Sequence, residues 1–216
     1  MRDKAAKETL LDALLVEQGY VCAYCTRRIR RKGDGRPKGS YAHIEHYLPQ
    51  NPSDALRDSM PTGGSYDADE LSLDYRNLLA VCSGGETGSH GEARICDKSR
   101  SKTKMLVVDP RSAQSVRLVD YKNDGTIYSE DKGVNEDLEE QLGLNLTAYS
   151  FKENRKRAME SVDFWAKKQP GNHVARRRAC EKRKQKYLAD RAAHGEAEPY
   201  LGAVLWRLEY WIRRWS

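Results

Sequence analysis

The sequence predicts an α+β fold. Three observations carry that expectation: two short apolar strands framed by cysteines, an Asn-Asp-Gly turn between two further strands, and helical periodicity from about residue 135 onward. The 216 residues suit one sizeable domain or two small ones. We assign 1–130 to a first domain, with its core at about 20–105 and a hairpin at 115–128. Residues 131–216 form a C-terminal helical region.

Leu10, Leu11, Leu14 and Leu15 recur at helical spacing, which predicts an amphipathic helix over 3–18. The stretch 31–40 is basic and glycine-rich and reads as a loop. Tyr41 to Tyr47 reads as a strand stopped by Pro49, and 50–70 as a long connection. Asn77 opens a second apolar strand, Leu78 to Val81, that ends at Cys82. After a glycine-rich insertion at 83–95, Asp97 reads as the start of a helix, which would complete a ββα unit. Farther on, Val116–Tyr121 and Thr126–Tyr128 flank Asn123-Asp124-Gly125, a hairpin signal. Asn135 is a candidate cap for a helix ended by Gly143, and 147–168, 173–194 and 199–215 are further helices. The last carries Leu201, Val204, Leu205, Leu208 and Ile212 on one face beside Trp206, Trp211 and Trp215. That stripe reads first as core, with a partner surface as the alternative.

Cys22 and Cys25 have the two-residue gap that lets two sulfurs face one ion, and Cys82 and Cys96 would complete a tetrahedral structural zinc site. Thirteen residues separate the second pair, so His90 within the insertion stands as a substitute ligand. Cys180 lies apart and reads as a plain cysteine. The expected core is thus a zinc-stabilised ββα-metal unit. Glu45 supplies a hard oxygen of the kind Mg2+ or Mn2+ prefers. His46 supplies an imidazole, a base suited to neutral pH. Asp97, fixed by its neighbour Cys96, is the expected second carboxylate ligand, and Asn77 is expected to tie the connecting loop and orient His46. Arg100 and Lys102 are candidate phosphate contacts, whereas His43 reads as a packed histidine. Strand alternation separates Glu45 from His46 unless the break at Pro49 relaxes it.

The net charge of +6 is unevenly placed. Residues 152–191 hold fourteen Lys or Arg against five Asp or Glu, so this block alone carries +9. Such a block suits a polyanion, nucleic acid above all; its plain alternative is a solvated helix face. Apolar runs are too short to span a membrane, no secretory signal is expected, and a cytoplasmic location would keep the thiols reduced for metal.

These residues resemble the HNH nuclease family. Glu45-His46-Tyr-Leu-Pro49 is similar to its Asp-His-x-x-Pro, Asn77-Leu78 to its Asn-Leu, and Cys96-Asp97-Lys-Ser-Arg100 to its Cys-Asn-x-x-Lys. The departures are Asp97 for Asn or His, Arg100 for Lys, and the insertion before Cys96. Cys22-Ala-Tyr-Cys25, Ile44-Glu-His46, the Asp-Gly turn, Leu142-Gly-Leu-Asn145 and Asn154-Arg155 extend the resemblance to PtuB, the HNH subunit family of Septu-type and retron-linked antiphage systems. The resemblance implies a metal-dependent HNH endonuclease hydrolysing phosphodiester bonds, DNA favoured, in a complex with an ATPase subunit (PtuA-like, of the ABC or SMC type). A retron reverse transcriptase with its RNA-DNA product is a further implied partner. Action on RNA such as tRNA, or a non-catalytic zinc module that binds nucleic acid as an adapter, are the alternatives.

Overall fold

The computed structural model describes residues 4–33, 41–58, 68–84, 94–100, 104–147, 150–193 and 195–216. The mixed α+β character is as expected, with two small antiparallel sheets among several helices. The first helix, α1 (Lys4–Glu17), buries Leu14 and Leu15 and delivers the chain into a tight turn at 22–25, closed by a bridge between Val21 and Arg28. Strand β1 (Ala42–His46) then pairs antiparallel with β2 (Leu78–Cys82), with Glu45 opposite Leu79 and His46 opposite Leu78. Every residue of β2 is buried, in line with its unbroken apolar run. The connection between these strands contains two short helices, α2 (Asp54–Asp58) and α3 (Ala68–Leu73).

Two expectations require correction. The helix expected from Asp97 is, among the described residues, a single 3-10 turn, Cys96–Lys98. Cys96 has φ +55°, a left-handed conformation that cannot start a regular α-helix, and Lys102 lies outside the described residues. Asn135 caps nothing. Asp131 caps α5 (Lys132–Glu136) by accepting from the Val134 amide, whereas Asn135 accepts from the Ser129 amide. A π-helical turn, Asp137–Gln141, follows before Gly143 ends the run with φ +60°.

The hairpin is shorter than its sequence signal, with β3 (Asp120–Tyr121) paired to β4 (Ile127–Tyr128). The expected strand start is not extended: Val116 ends a helical turn, α4 (Ala113–Val116), that Ser112 caps, and Arg117 and Leu118 form a turn. Gly125 takes φ +87° in the turn, and a Cβ there would meet the Lys152 carbonyl at 2.0 Å. Three longer helices complete the chain: α6 (Phe151–Lys167), α7 (His173–Ala192, capped by Asn172) and α8 (Leu201–Arg214).

Two apolar clusters form. The larger gathers α1, the cysteine turn, β1, β2 and the hairpin with Val134, Leu138, Leu142, Leu144, Phe151 and Met159. The smaller joins Val162, Cys180, Val204, Leu208, Trp211 and Trp215 from α6, α7 and α8, so most of the tryptophan stripe is core. Asp163 fastens this bundle by accepting from Arg207 and from the Trp211 indole at 2.7 Å. No described helix is long and apolar enough to cross a membrane.

Candidate metal centre and the adjoining carboxylates

The turn at 22–25 is built for two sulfurs on one side. The Thr26 amide donates to the Cys22 carbonyl at 3.0 Å and the Cys22 amide to the Arg27 carbonyl at 2.9 Å, with Thr26 at φ +54°. The second pair comes from the end of β2 and the start of the 3-10 turn. The thirteen-residue separation proves harmless, because the Ile95 amide donates to the Gly84 carbonyl at 3.3 Å and pinches the insertion at its base. Gly84 permits this with φ +74°; a Cβ there would lie 2.4 Å from the Lys98 side chain. The Leu142 carbonyl accepts from the Cys96 amide at 2.9 Å, anchoring the fourth ligand to the π-helical segment.

All four sulfurs lie within 4.8 Å of one another and are buried. Cys22 to Cys96 and Cys25 to Cys82 are 3.9 Å apart, and Cys82 to Cys96 is 3.6 Å. A tetrahedral ion with Zn–S bonds of ~2.3 Å requires sulfur separations of ~3.8 Å. A disulfide requires ~2.05 Å, and the cysteines are free. The cluster therefore has the dimensions to hold a metal such as zinc. Burial pushes the Cys25 and Cys96 thiols well up. At Cys22 hydrogen bonds from the other three sulfurs overcome burial, and its thiol is held well below the usual range. The Cys82 amide adds an N–H···S bond to Cys22 at 3.3 Å. His90 lies outside the described residues.

Asp97 follows Cys96 directly, and the cysteine cluster aims it at β1. Its side chain is 6% exposed. One carboxylate oxygen, Oδ2, lies 2.7 Å from His43 Nε2 and 3.2 Å from Lys98 Nζ. The other, Oδ1, is buried with no hydrogen-bond partner. An orphaned buried carboxylate oxygen is costly, and an ordered water or a cation can supply the missing partner. Glu45 projects from the same face of β1 as His43. Its carboxyl is raised above the ordinary range, first by burial and then by the Asp97 charge, while Arg100 and His43 pull the other way. Carboxylate oxygens are the donor type that a hard divalent ion takes, and Glu45 and Asp97 are the acids of this face.

Arg100 is 5% exposed and spent inside the fold. It faces Glu45 Oε1 at 3.3 Å and donates to the Tyr47 carbonyl at 2.6 Å. His43, expected to be packed, instead joins Asp97 and is only partly buried. His46 lies on the opposite face of β1 from Glu45, as regular alternation requires. There its Nε2 lies 3.2 Å from the Ser72 carbonyl. Asn77 is fully engaged: its amide donates to the Leu48 and Leu71 carbonyls at 3.0 Å and its oxygen accepts from the Leu48 amide at 2.7 Å. It thereby holds the residue next to Ser72, the His46 partner. The structure thus forms two groups on β1, His43–Glu45–Asp97–Arg100 on one face and His46–Asn77–Ser72 on the other.

Compared with family models and with curated proteins, the chain finds no match.

Proposed function

We propose that this protein is a metal-dependent HNH endonuclease that hydrolyses phosphodiester bonds of nucleic acid. The observation that carries the reading is the buried, unpartnered Oδ1 of Asp97 beside Glu45, positioned by a cysteine cluster that has its own metal dimensions. Glu45 and Asp97 are the residues to hold Mg2+ or Mn2+, and such an ion would stabilise the charge that builds on the phosphoryl oxygens. Donation of the His46 Nε2 proton to the Ser72 carbonyl leaves Nδ1 as a lone-pair acceptor, the tautomer a general base needs. Asn77 donates to the carbonyl of Leu71, the residue before Ser72. His46 faces away from Glu45 across β1, so its service as base to an ion held by Glu45 and Asp97 requires the strand to turn before Pro49.

Helix α7 supports a nucleic-acid substrate. Cys180 is its one buried residue among those described, while Arg177, Arg178, Lys182, Lys186 and Arg191 are exposed. Phosphate-directed charge of this kind carries no preference between DNA and RNA. DNA is put first, with cellular RNA such as tRNA as the second arm of the assay. The ATPase partner and the antiphage setting come from the resemblance to PtuB and are part of the proposal on that ground alone.

Purified zinc-loaded protein, with Mg2+ or Mn2+ restored after chelation, is expected to cut plasmid DNA or cellular RNA, and His46→Ala to stop cleavage without lowering the melting temperature appreciably. A folded His46→Ala protein that cuts at the wild-type rate would sink the nuclease reading. Equal binding of nucleic acid by both proteins, with no cleavage by either under any metal, would favour the adapter.

A further inference from the structure

Helix α6 turns Val162 and Ala166 into the smaller apolar cluster, and Phe164 falls outside it with its ring 63% exposed. Among the described residues the one other exposed aromatic is Tyr75, whose hydroxyl donates to Glu17. A lone exposed ring is common on protein surfaces, so its surroundings decide its meaning. Lys168, one turn on, holds its Nζ 3.7 Å from the ring centroid, over one face of the phenyl group. Lys167 and Lys168 are both exposed and face no carboxylate among the described residues. Arg183 of α7 lies 4.3 Å from the centroid of Trp165, which sets Phe164, the residue before, at the flank of the basic helix. Arg178 and Lys182 of that helix are exposed as well. The one fully open aromatic ring of α6 thus stands among cations that lack counter-charges.

We propose that Phe164 is a stacking platform for an unpaired base, so that the α6–α7 surface takes single-stranded nucleic acid in preference to duplex. This rests on the reading of the protein as one that acts on nucleic acid. Phosphate contacts from lysine and arginine hold any polyanion and do not distinguish paired from unpaired strands. An aromatic face does distinguish them. Bases in a duplex are already stacked on both sides, whereas an unpaired base offers a free π-face to a protein ring. Lys168 covers one side of Phe164, and the ring's exposure leaves the other for the base. The same lysine can then meet the phosphate of the stacked nucleotide. Every base has a π-face, so the platform sets the state of the strand and not its sequence. An acidic peptide would suit these lysines too, but it would use an aliphatic side chain at 164 as well as a flat one.

The test measures fluorescence anisotropy of full-length, zinc-loaded protein without added Mg2+ or Mn2+, so that no strand is cut. The probes are labelled oligothymidylate, oligouridylate, a DNA duplex of equal length and an abasic strand with the same phosphates. Wild type is expected to bind both single strands about tenfold more tightly than the duplex or the abasic strand. Phe164→Ala and Phe164→Leu should each lose about tenfold on the single strands and nothing on the duplex, while Phe164→Trp binds at least as well as wild type. The ring lies outside the core, so all three variants are expected to melt with wild type. Single-strand affinity that survives in Phe164→Ala or Phe164→Leu would overturn the inference, and so would equal losses on strand and duplex; in either case the basic surface still binds. Wild-type protein that binds none of the probes would overturn the nucleic-acid reading itself. A difference between oligothymidylate and oligouridylate that Phe164→Ala removes would support the platform and assign it to DNA or to RNA.

Discussion

Asn77 shows how one buried polar side chain orders a site without touching a reactant. It is 2% exposed, and its three hydrogen bonds join the end of β1 to α3 across the connecting loop. Asn77→Ala leaves two carbonyls and an amide short of partners, so we expect a loss of about 2–3 kcal/mol in urea unfolding. Cleavage should fall further than stability explains, because the Ser72 carbonyl no longer fixes His46. Cleavage that tracks only the folded fraction would contradict that orienting role. Arg155 is the matching case in the second half of the chain. Its buried guanidinium donates to the carbonyls of Gly125 and Leu144 and to the Asn145 side chain, while Asn145 bonds both backbone groups of Ile127. Burial lowers its pKa from the ordinary range. Arg155→Ala is expected to cost about 3 kcal/mol, since hydrogen bonds from a charged donor are lost and the turn carbonyls go unpaired. A change under about 0.5 kcal/mol in denaturant titration would show that water replaces it.

At the scale of elements, the short β1–β2 ladder does more than its five-residue strands suggest. It separates the Glu45 and His46 faces, and its two ends carry Cys82 and the segment that leads to Asn77. Helix α7 is the opposite kind of element, long and with Cys180 alone fully buried. Arg178 and Lys182, four residues apart, lie on its open face with no ion pair among the described residues, whereas Arg177 and Lys186 pair with Glu181 and Asp190. Arg178→Glu with Lys182→Glu should leave stability within about 0.5 kcal/mol of wild type. It should also weaken nucleic-acid binding and reduce the salt dependence by about two phosphate contacts. Filter or anisotropy titrations at several salt concentrations check this, and an unchanged slope would place the nucleic acid elsewhere.

For the molecule as a whole, the cysteine cluster joins elements far apart in sequence: the turn after α1, the end of β2 and the turn before Arg100. The Cys96 amide ties it further to Leu142, the residue that follows the π-helical turn. Stripping a metal from such a hub removes folding free energy and not merely a ligand. Intact protein is expected to contain about one zinc per chain, and Cys82→Ser to lower the melting temperature by about 10 °C or more. Elemental analysis without zinc, or a Cys82→Ser protein melting with wild type, would remove the metal from this account.

Much was legible in the chain because local chemistry declares itself. The Cys-x-x-Cys gap, the period-3.6 stripe of α8, the Asn-Asp-Gly turn and the apolar run of β2 each announce an element through spacing or backbone preference, and each is present. The pairing of Cys82 with Cys96 and the stopping of the Asp97 segment at one 3-10 turn were decided by contacts at Gly84 and Leu142, whereas the capping of α5 by Asp131 is a local bond from the Val134 amide. Spacing names the residues of β1 but not their neighbours. That His43, and not His46, meets Asp97 follows from strand alternation combined with where the cysteine cluster delivers residue 97, a distance across 54 positions that no local pattern records.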